Sequence, residues 1–370
     1  MSVHSTLASP AATIATLKRW GLHTDRSLGQ HFLVDDGVIG RILRLAQLQA
    51  GDEVLEVGPG IGTLTEALLA GGARVCAVEK DSRLIPLLDD MQARFPKHFS
   101  YLCADAARGT FGQGRRKAHA GGARATDTRA TRATDTRATG ATDTGATGAT
   151  DTAPAKTIPP TEDHSSASVL DAATSRFTGT FKLISNLPYA VAATIVLDAF
   201  QRLSGLQSAT VMVQSEVAAR MVAKPNTKDY GAYSVKLQLL AYPQGDFAVN
   251  PLSFLPPPRV CSTVIRLDRR EEVCGQDAAG VLRSASLSAD AAFAFRRKTI
   301  HNSMRSYFSA CGLDPALVGT LLAAADISPR IRGEALRVED YHVLGELLFR
   351  HLPDRFSAFA PAVYPQFGIS

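Results

Sequence analysis

Cysteine is scarce in this chain: five residues in 370, scattered singly as Cys76, Cys103, Cys261, Cys274 and Cys311. There is no CxxC pair and no Cys/His cluster, so neither a zinc-ligand pattern nor a disulfide framework is supported, and the pattern suits a reducing cytoplasm. Long apolar runs are missing too. No stretch approaches the roughly 20 apolar residues of a membrane span, and the first twenty residues have no apolar core of secretory length. That Ser/Thr-rich start, with Lys18 and Arg19, has only a faint transit-peptide character. Charge of one sign is also in short supply. The net charge of +5 is compatible with a nucleic-acid partner without demonstrating one. Between Gly109 and Ser175 eight Lys/Arg stand against seven Asp/Glu, a net of +1, so the other +4 lies in segments that carry a folding pattern.

What is present is, first, a hydrophobic content of 45% in a chain long enough for two domains, or for one with extras. Second, residues 109–175 differ sharply from their surroundings. From Arg124 the chain runs RATDTRAT, RATDTRAT, GATDTGAT, GATDT, a period of eight, with no large apolar residue from Ala118 to Thr157. Such a segment cannot bury enough apolar surface to offset the entropy of ordering it, and a period of eight suits neither a helix face nor a strand face. It reads as a disordered insertion in a surface loop; the repeated arginines through Arg137 leave an RNA-contacting arm as the functional alternative.

With the insertion set aside, strands alternate with helices. Asp36 is placed to cap a helix whose Val38, Ile39, Ile42, Leu43 and Ala46 share a face. A buried strand Glu53–Val57 precedes a helix from Thr63, and the strand Arg74–Val78 precedes a helix near Ser82–Ala93. The strand Phe99–Cys103 follows. After the insertion come the strand Phe181–Ser185, a helix Val191–Leu203 and the strand Ala209–Val213. Ala248–Phe254 and Val260–Leu267 read as an antiparallel closing pair joined by the Pro256-Pro257-Pro258 turn. Beyond Glu271 the pattern turns helical, over Ala279–Leu287, Ala291–Tyr307, Pro315–Ala325 and Val338–Phe349. The expectation is an α/β fold, a largely parallel sheet with helices on both faces, followed by a smaller helical domain.

Two motifs carry chemistry. Gly58-Pro59-Gly60-Ile61-Gly62 follows a strand and opens a helix, the layout of a nucleotide-cofactor loop, in which glycines turn tightly and let the backbone approach a ligand. Its G-x-G-x-G spacing departs from the G-x-G-x-x-G of NAD or FAD sites. Glu79 closes the next strand, where a carboxylate accepts from ribose hydroxyls, and Asp105, beyond the third, is an acceptor for an adenine amine or amide. Alone, each has a bland alternative, a strand-end carboxylate or a turn residue. At the carboxyl ends of three consecutive strands they gain weight together, because ligands bind there in open α/β sheets. The second motif, Asn186-Leu187-Pro188-Tyr189, also lies between a strand and a helix. An adenine N6 amine is a poor nucleophile because its lone pair is delocalised into the ring. Acceptors on its two hydrogens, the Asn186 side-chain oxygen and the Leu187 carbonyl, favour a tetrahedral nitrogen. Pro188 rigidifies the turn and Tyr189 offers a stacking face. By itself the tetrapeptide is also compatible with an ordinary strand-to-helix turn.

These motifs together resemble the ribosomal RNA adenine dimethyltransferases of the KsgA/RsmA type. The resemblance rests on Ser27-Leu28-Gly29-Gln30-His31-Phe32-Leu33, Glu56-Val57-Gly58-Pro59-Gly60, Asn186–Tyr189, Gln214-Ser215-Glu216-Val217, Phe254-Leu255-Pro256-Pro257-Pro258-Arg259-Val260 and Arg296-Arg297-Lys298-Thr299-Ile300, in the family's order. It implies a Rossmann-like class I methyltransferase sheet over 25–108 and 176–270, between an N-terminal extension (1–24) and a C-terminal helical rRNA-binding domain (271–370). It further implies S-adenosylmethionine as cofactor, held by His31, Leu33, Gly58, Glu79, Asp105 and Asn186, with no metal. Gly58 is expected against the methionine moiety, and Asp105 against the cofactor's adenine. Phe254 is expected as a second aromatic wall beside Tyr189. Arg296, Arg297 and Lys298, on a helix with His301, Asn302 and Arg305, are expected to grip rRNA phosphates together with Arg220, Lys224 and Lys228. The implied reaction puts two methyl groups on each of two adjacent adenosines near the 3′ end of 16S rRNA, in immature 30S particles in the cytoplasm, by a monomer. The chain departs from the family in three places: His31 stands where Asn is common, Cys261 stands where Asp is usual, and the 109–175 insertion is not a family feature. Three other readings share parts of this pattern: a resistance-type methylase of 23S rRNA, a DNA adenine methylase, and a non-catalytic rRNA-binding assembly factor.

Overall fold

The computed structural model describes residues 5–23, 30–107, 169–271 and 277–356. The octapeptide repeat, the Ser27–Gly29 part of the N-terminal motif and Cys274 lie outside the described residues. The chain enters through α1 (Pro10–Arg19) and the short β1 (Phe32–Leu33), then α2 (Asp36–Leu45), β2 (Glu53–Val57), α3 (Thr63–Ala70), β3 (Arg74–Glu79), α4 (Ile85–Arg94) and β4 (Phe99–Cys103). It resumes with α5 (Val169–Thr174), β5 (Phe181–Asn186), α6 (Ala192–Arg202) and β6 (Leu206–Gln214), then α7 (Ser215–Met221), α8 (Ala232–Gln238), β7 (Ala241–Val249), β8 (Phe254–Leu255) and β9 (Ser262–Arg269). Helices α9 (Ala278–Phe293), α10 (Ile300–Ala310), α11 (Leu317–Ala324), α12 (Val338–His351) and α13 (Pro353–Phe356) follow.

Seven strands form one sheet in the order β4-β3-β2-β5-β6-β9-β7. The first five run parallel, and β9 and β7 close the sheet antiparallel. Side chains alternate across it as the pleat requires. Leu55, Val57, Cys76, Val78 and Leu183 face a core shared with α5 and α6. Val54, Val75, Ala77 and Ile184 face a second core under α2, α3 and α4. A third core lies among the C-terminal helices and includes Tyr230, Ile300, Phe308, Tyr341 and Leu344.

Several expectations need correction. The cap of α2 is Asp35, whose Oδ1 accepts from the Val38 N–H at 3.2 Å, and not Asp36. The strand expected over Ala248–Phe254 is β7, seven residues earlier at its start; the Pro-rich turn is preceded by β8, which pairs with β1 through Phe32↔Leu255 and Leu33↔Phe254. Short β8 has no apolar alternation, so only pairing reveals it. The expected insertion reaches too far at its end, since 169–174 form α5, with Leu170 and Ala173 fully buried against the sheet. The helical region also recruits residues before Glu271: Ala223, Tyr230, Val235 and Leu239 share its core. The helix expected over Ala291–Tyr307 is two helices, α9 and α10, separated by a turn that carries Arg296–Lys298.

The N-terminal segment folds onto the sheet's helices. The hydroxyls of Ser5 and Thr6 and the Thr6 N–H donate to the Glu66 carboxylate at 2.8–3.0 Å, and Arg94 approaches it at 3.3 Å. Leu17 of α1 enters the second core. We expect Glu66→Ala to cost about 1–3 kcal/mol, because donors at a half-buried site lose their acceptor. Trypsin should then cut faster at Lys18 and Arg19. Unchanged cleavage would mean that packing alone holds α1.

Candidate active site

The strand order reverses between β2 and β5, and the loops leaving their carboxyl ends face the crevice where ligands bind in open α/β sheets. The two strands pair at Val54–Lys182 and Leu55–Leu183. Past those pairs the Ser185 hydroxyl takes over: it donates to the Val57 carbonyl at 2.5 Å and accepts from the Val57 N–H at 3.3 Å. This brings the glycine loop against the Asn186–Tyr189 turn. A Cβ added at Gly58, where φ is +74°, would stand 3.4 Å from the Pro188 ring. A Cβ added at Gly60, where φ is +60°, would stand 3.2 Å from the Phe32 ring.

Glu79 ends β3 beside this loop and accepts from the N–H groups of Lys80 and Asp81 at 2.8 Å and of Gly60 at 3.2 Å. Burial raises its carboxyl above the usual range, with those three N–H groups opposing the shift. Asp105 is held on both oxygens, by the Lys80 ammonium at 2.9 Å and the Ala107 N–H at 3.0 Å. A ligand amine there competes with Lys80. Thr63, the first residue of α3, is buried, and its hydroxyl has no hydrogen-bond partner among the described residues. Among these residues no group of His, Cys, Asp and Glu could hold a metal ion.

In the tetrapeptide, the Asn186 amide donates to the His31 carbonyl at 3.4 Å, which leaves its oxygen as an acceptor, and the Leu187 N–H donates to Met212 at 3.1 Å. The Leu187 side chain is buried, so only its backbone is available to a ligand. Tyr189 is half-buried. Its ring stacks on His31, centroids 5.9 Å apart at 23°, and its hydroxyl lies 2.6 Å from the Ser262 Oγ. His31 in turn bonds through Nδ1 to the Pro256 carbonyl at 2.7 Å; a carbonyl can only accept, so Nδ1 carries the proton. Leu33 is buried in the second core. Phe254 is 2% exposed in that same core, so its ring supports the turn and is not an open wall.

The expected phosphate grip divides. Arg296 is a staple: its guanidinium donates to the carbonyls of Lys228 and Tyr230 at 3.2 and 3.3 Å and faces Glu334 at 3.8 Å. Arg297 and Lys298 are exposed in the turn, as are Arg220, Lys224 and Lys228. Three partners were not visible in sequence: Lys80 for Asp105, Pro256 for His31 and Ser262 for Tyr189. All are set by register or loop approach, which no local pattern encodes. Gln30 donates to Asp81 at 2.7 Å, a role its place in the N-terminal motif did not specify.

A parallel sheet with an antiparallel closing pair, a glycine loop and an acceptor turn at the switch point, is the arrangement of the class I methyltransferases. The chain is similar over 94% of its length, at 31% identity, to a protein named ribosomal RNA small subunit methyltransferase A from Alkaliphilus oremlandii, covering 99% of it. A protein of the same name from Leifsonia xyli is 32% identical, over 90% of this chain and 96% of that one. Among solved structures, a dimethyladenosine transferase from Plasmodium falciparum superposes at TM-score 0.56 and 18% identity, over 88% and 98% of the two chains. The 23S rRNA methyltransferase ErmE superposes at TM-score 0.50 and 21% identity, over 86% and 99%. The family model for ribosomal RNA adenine dimethylases matches residues 21–98 and 159–325, and the chain belongs to that family.

Glu56, in the same loop motif, is 2% exposed, and its carboxyl is pushed up to about 8, chiefly by burial. The Thr65 hydroxyl at 2.7 Å opposes that shift, and the charge of Glu79 adds to it. The folded protein therefore keeps a proton that the unfolded chain releases above its ordinary carboxylate pKa of 4.5. Stability falls as pH rises from about 4.5 to about 8, by up to about 1.4 kcal/mol per pH unit. Glu56→Gln should flatten that slope in urea titrations across this range; an unchanged slope would place the pH dependence elsewhere.

Proposed function

We propose that this chain uses S-adenosylmethionine to dimethylate the N6 amines of two adjacent adenosines near the 3′ end of 16S rRNA, acting as a monomer on immature 30S particles in the cytoplasm. The observation that carries the reading is the close approach of the glycine loop to the tetrapeptide turn, where even a Cβ at Gly58 would reach within 3.4 Å of the Pro188 ring; that approach sets a cofactor loop beside two amine acceptors. Family membership and the relatives named small subunit methyltransferase A support the choice of substrate.

The residues fit the cofactor. A Cβ at Gly58 or Gly60 would occupy the space between the loop and the Pro188 and Phe32 rings, and the buried Thr63 hydroxyl just after the loop, without a hydrogen-bond partner among the described residues, offers a polar contact. Gly58 would lie against the methionine part and Glu79 would accept from the ribose hydroxyls. Asp105 would reach the adenine edge once released from Lys80, and His31, Leu33 and Asn186 would complete the enclosure. When bound, the cofactor supplies a methyl group made electrophilic by its sulfonium.

The chain's own work is on the amine. The Asn186 Oδ1 and the Leu187 carbonyl accept from the two N6 hydrogens, which draws the nitrogen towards tetrahedral geometry and frees its lone pair. Pro188 holds both acceptors in place before binding, and Tyr189 stacks on the extruded base. The proton leaves to solvent after transfer. Phe254 contributes by supporting the segment beside the base. The helical region, with Arg297 and Lys298 outermost and Arg296 bracing the turn, binds rRNA phosphates.

Two measurements test this. Asn186→Ala should lower the turnover number for methyl incorporation into immature 30S particles by about a hundredfold or more. Mass spectrometry of 16S rRNA from cells lacking the protein should find the adenosines unmethylated. Full transfer by the variant, or normal methylation in the deletion, would overturn the reading; methylation of naked 23S rRNA instead would move the substrate. Replacing Arg297 and Lys298 by glutamine should weaken RNA binding and reduce the salt slope by about 1–2, with the Arg296 staple intact. An unchanged slope would remove the turn from the RNA surface.

A further inference from the structure

Ser262 has no role in the chemistry above, yet it is fully buried at the start of β9 and its hydroxyl meets that of Tyr189 at 2.6 Å. Its place is fixed from both sides, because β9 lies between β6 and β7 and Ser262 pairs with Gln214 on one and Val249 on the other. The opposite restraint on Tyr189 is His31, whose ring stacks on the phenol and is pinned through Nδ1 to the Pro256 carbonyl. The ring is therefore fixed at its tip by the sheet and on one face by the N-terminal segment. A stacking residue on a free two-torsion side chain would lose rotamer freedom each time a base bound. Here that cost is met in folding.

We infer that Ser262 is a positioning residue for RNA methylation: its hydrogen bond to Tyr189 sets the ring plane onto which the target adenine stacks. The inference rests on the reading that Tyr189 stacks on the target base. Ser262 itself touches no reacting atom. His31 covers one face of the ring, so the base takes the other, and the order of the stack is His31, Tyr189, adenine. This gives the hydroxyl of Tyr189 a purpose that stacking alone does not, since a phenylalanine would offer the same face.

The test uses the full chain with immature 30S particles and S-adenosylmethionine, and compares Ser262→Ala, Tyr189→Phe, the double variant and Tyr189→Ala. Ser262→Ala and Tyr189→Phe delete the same bond from its two ends, so Tyr189→Phe carries the test if the buried alanine unfolds the strand. Each is expected to lower kcat/KM for 30S particles about tenfold, mainly through KM, with the dissociation constant for S-adenosylmethionine within about twofold of the parent. The double variant should lose no more than either single one, because one bond is removed only once. Wild-type kinetics in both bond-deleting variants, additive losses in the double variant, or an equal loss of cofactor affinity would each overturn the inference. If those two variants are normal while Tyr189→Ala is impaired, positioning by Ser262 fails and stacking stands. If Tyr189→Ala is also normal, the stacking reading itself fails.

Discussion

The site depends on how two parallel strands part company. At a switch point adjacent strands must diverge to leave a crevice, and their backbone groups still need partners. The Ser185 hydroxyl resolves the conflict by serving both the N–H and the carbonyl of Val57 where strand pairing has ended. One side chain thereby substitutes for a stretch of ladder. It sets the distance between the glycine loop and the acceptor turn, so close that a Cβ at Gly58 would stand 3.4 Å from the Pro188 ring.

Around that junction the electrostatics separate two buried carboxylates. Among the described residues the Glu56 carboxylate oxygens meet the Thr65 hydroxyl alone, and burial keeps the proton on Glu56 at neutral pH. Glu79 has three backbone N–H donors, which support the charged form that ribose hydroxyls would meet. Burial raises both carboxyls, and the hydrogen bonds to Glu79 oppose that shift from three sides where a single hydroxyl opposes it at Glu56. Asp105, tied to a half-exposed Lys80, belongs to neither class; its ion pair is a surface one and readily exchanged.

The sheet's parallel strands were legible in sequence because each is a short apolar run ended by a turn signal. Glu53–Val57 and Phe99–Cys103 need no long-range information. The motif residues were placed on the right edge of the sheet for the same reason. What failed to show were features created by partners distant in the chain. The strand Phe254–Leu255 exists only because Phe32–Leu33 lies beside it. Val169–Thr174 is too short for a periodic signal beside a low-complexity run. Arg296 looked like one of three equivalent cations, yet two carbonyls on another loop hold it, and Phe254 looked like a wall and proved to be core. Composition and spacing say which residues can bond; only the fold says which bonds are taken.

The two-stranded β1–β8 sheet joins residues assigned to different ligands. Its first strand follows His31, whose carbonyl receives the Asn186 amide beside the cofactor loop. Its second leads into Pro256, whose carbonyl holds the His31 ring against Tyr189. The pairing of the two strands therefore holds the His31 backbone beside Asn186 and the His31 ring beside Tyr189 as one unit. A pair of strands two residues long is thus the tie between the segment that meets Asn186 and the segment that meets Tyr189.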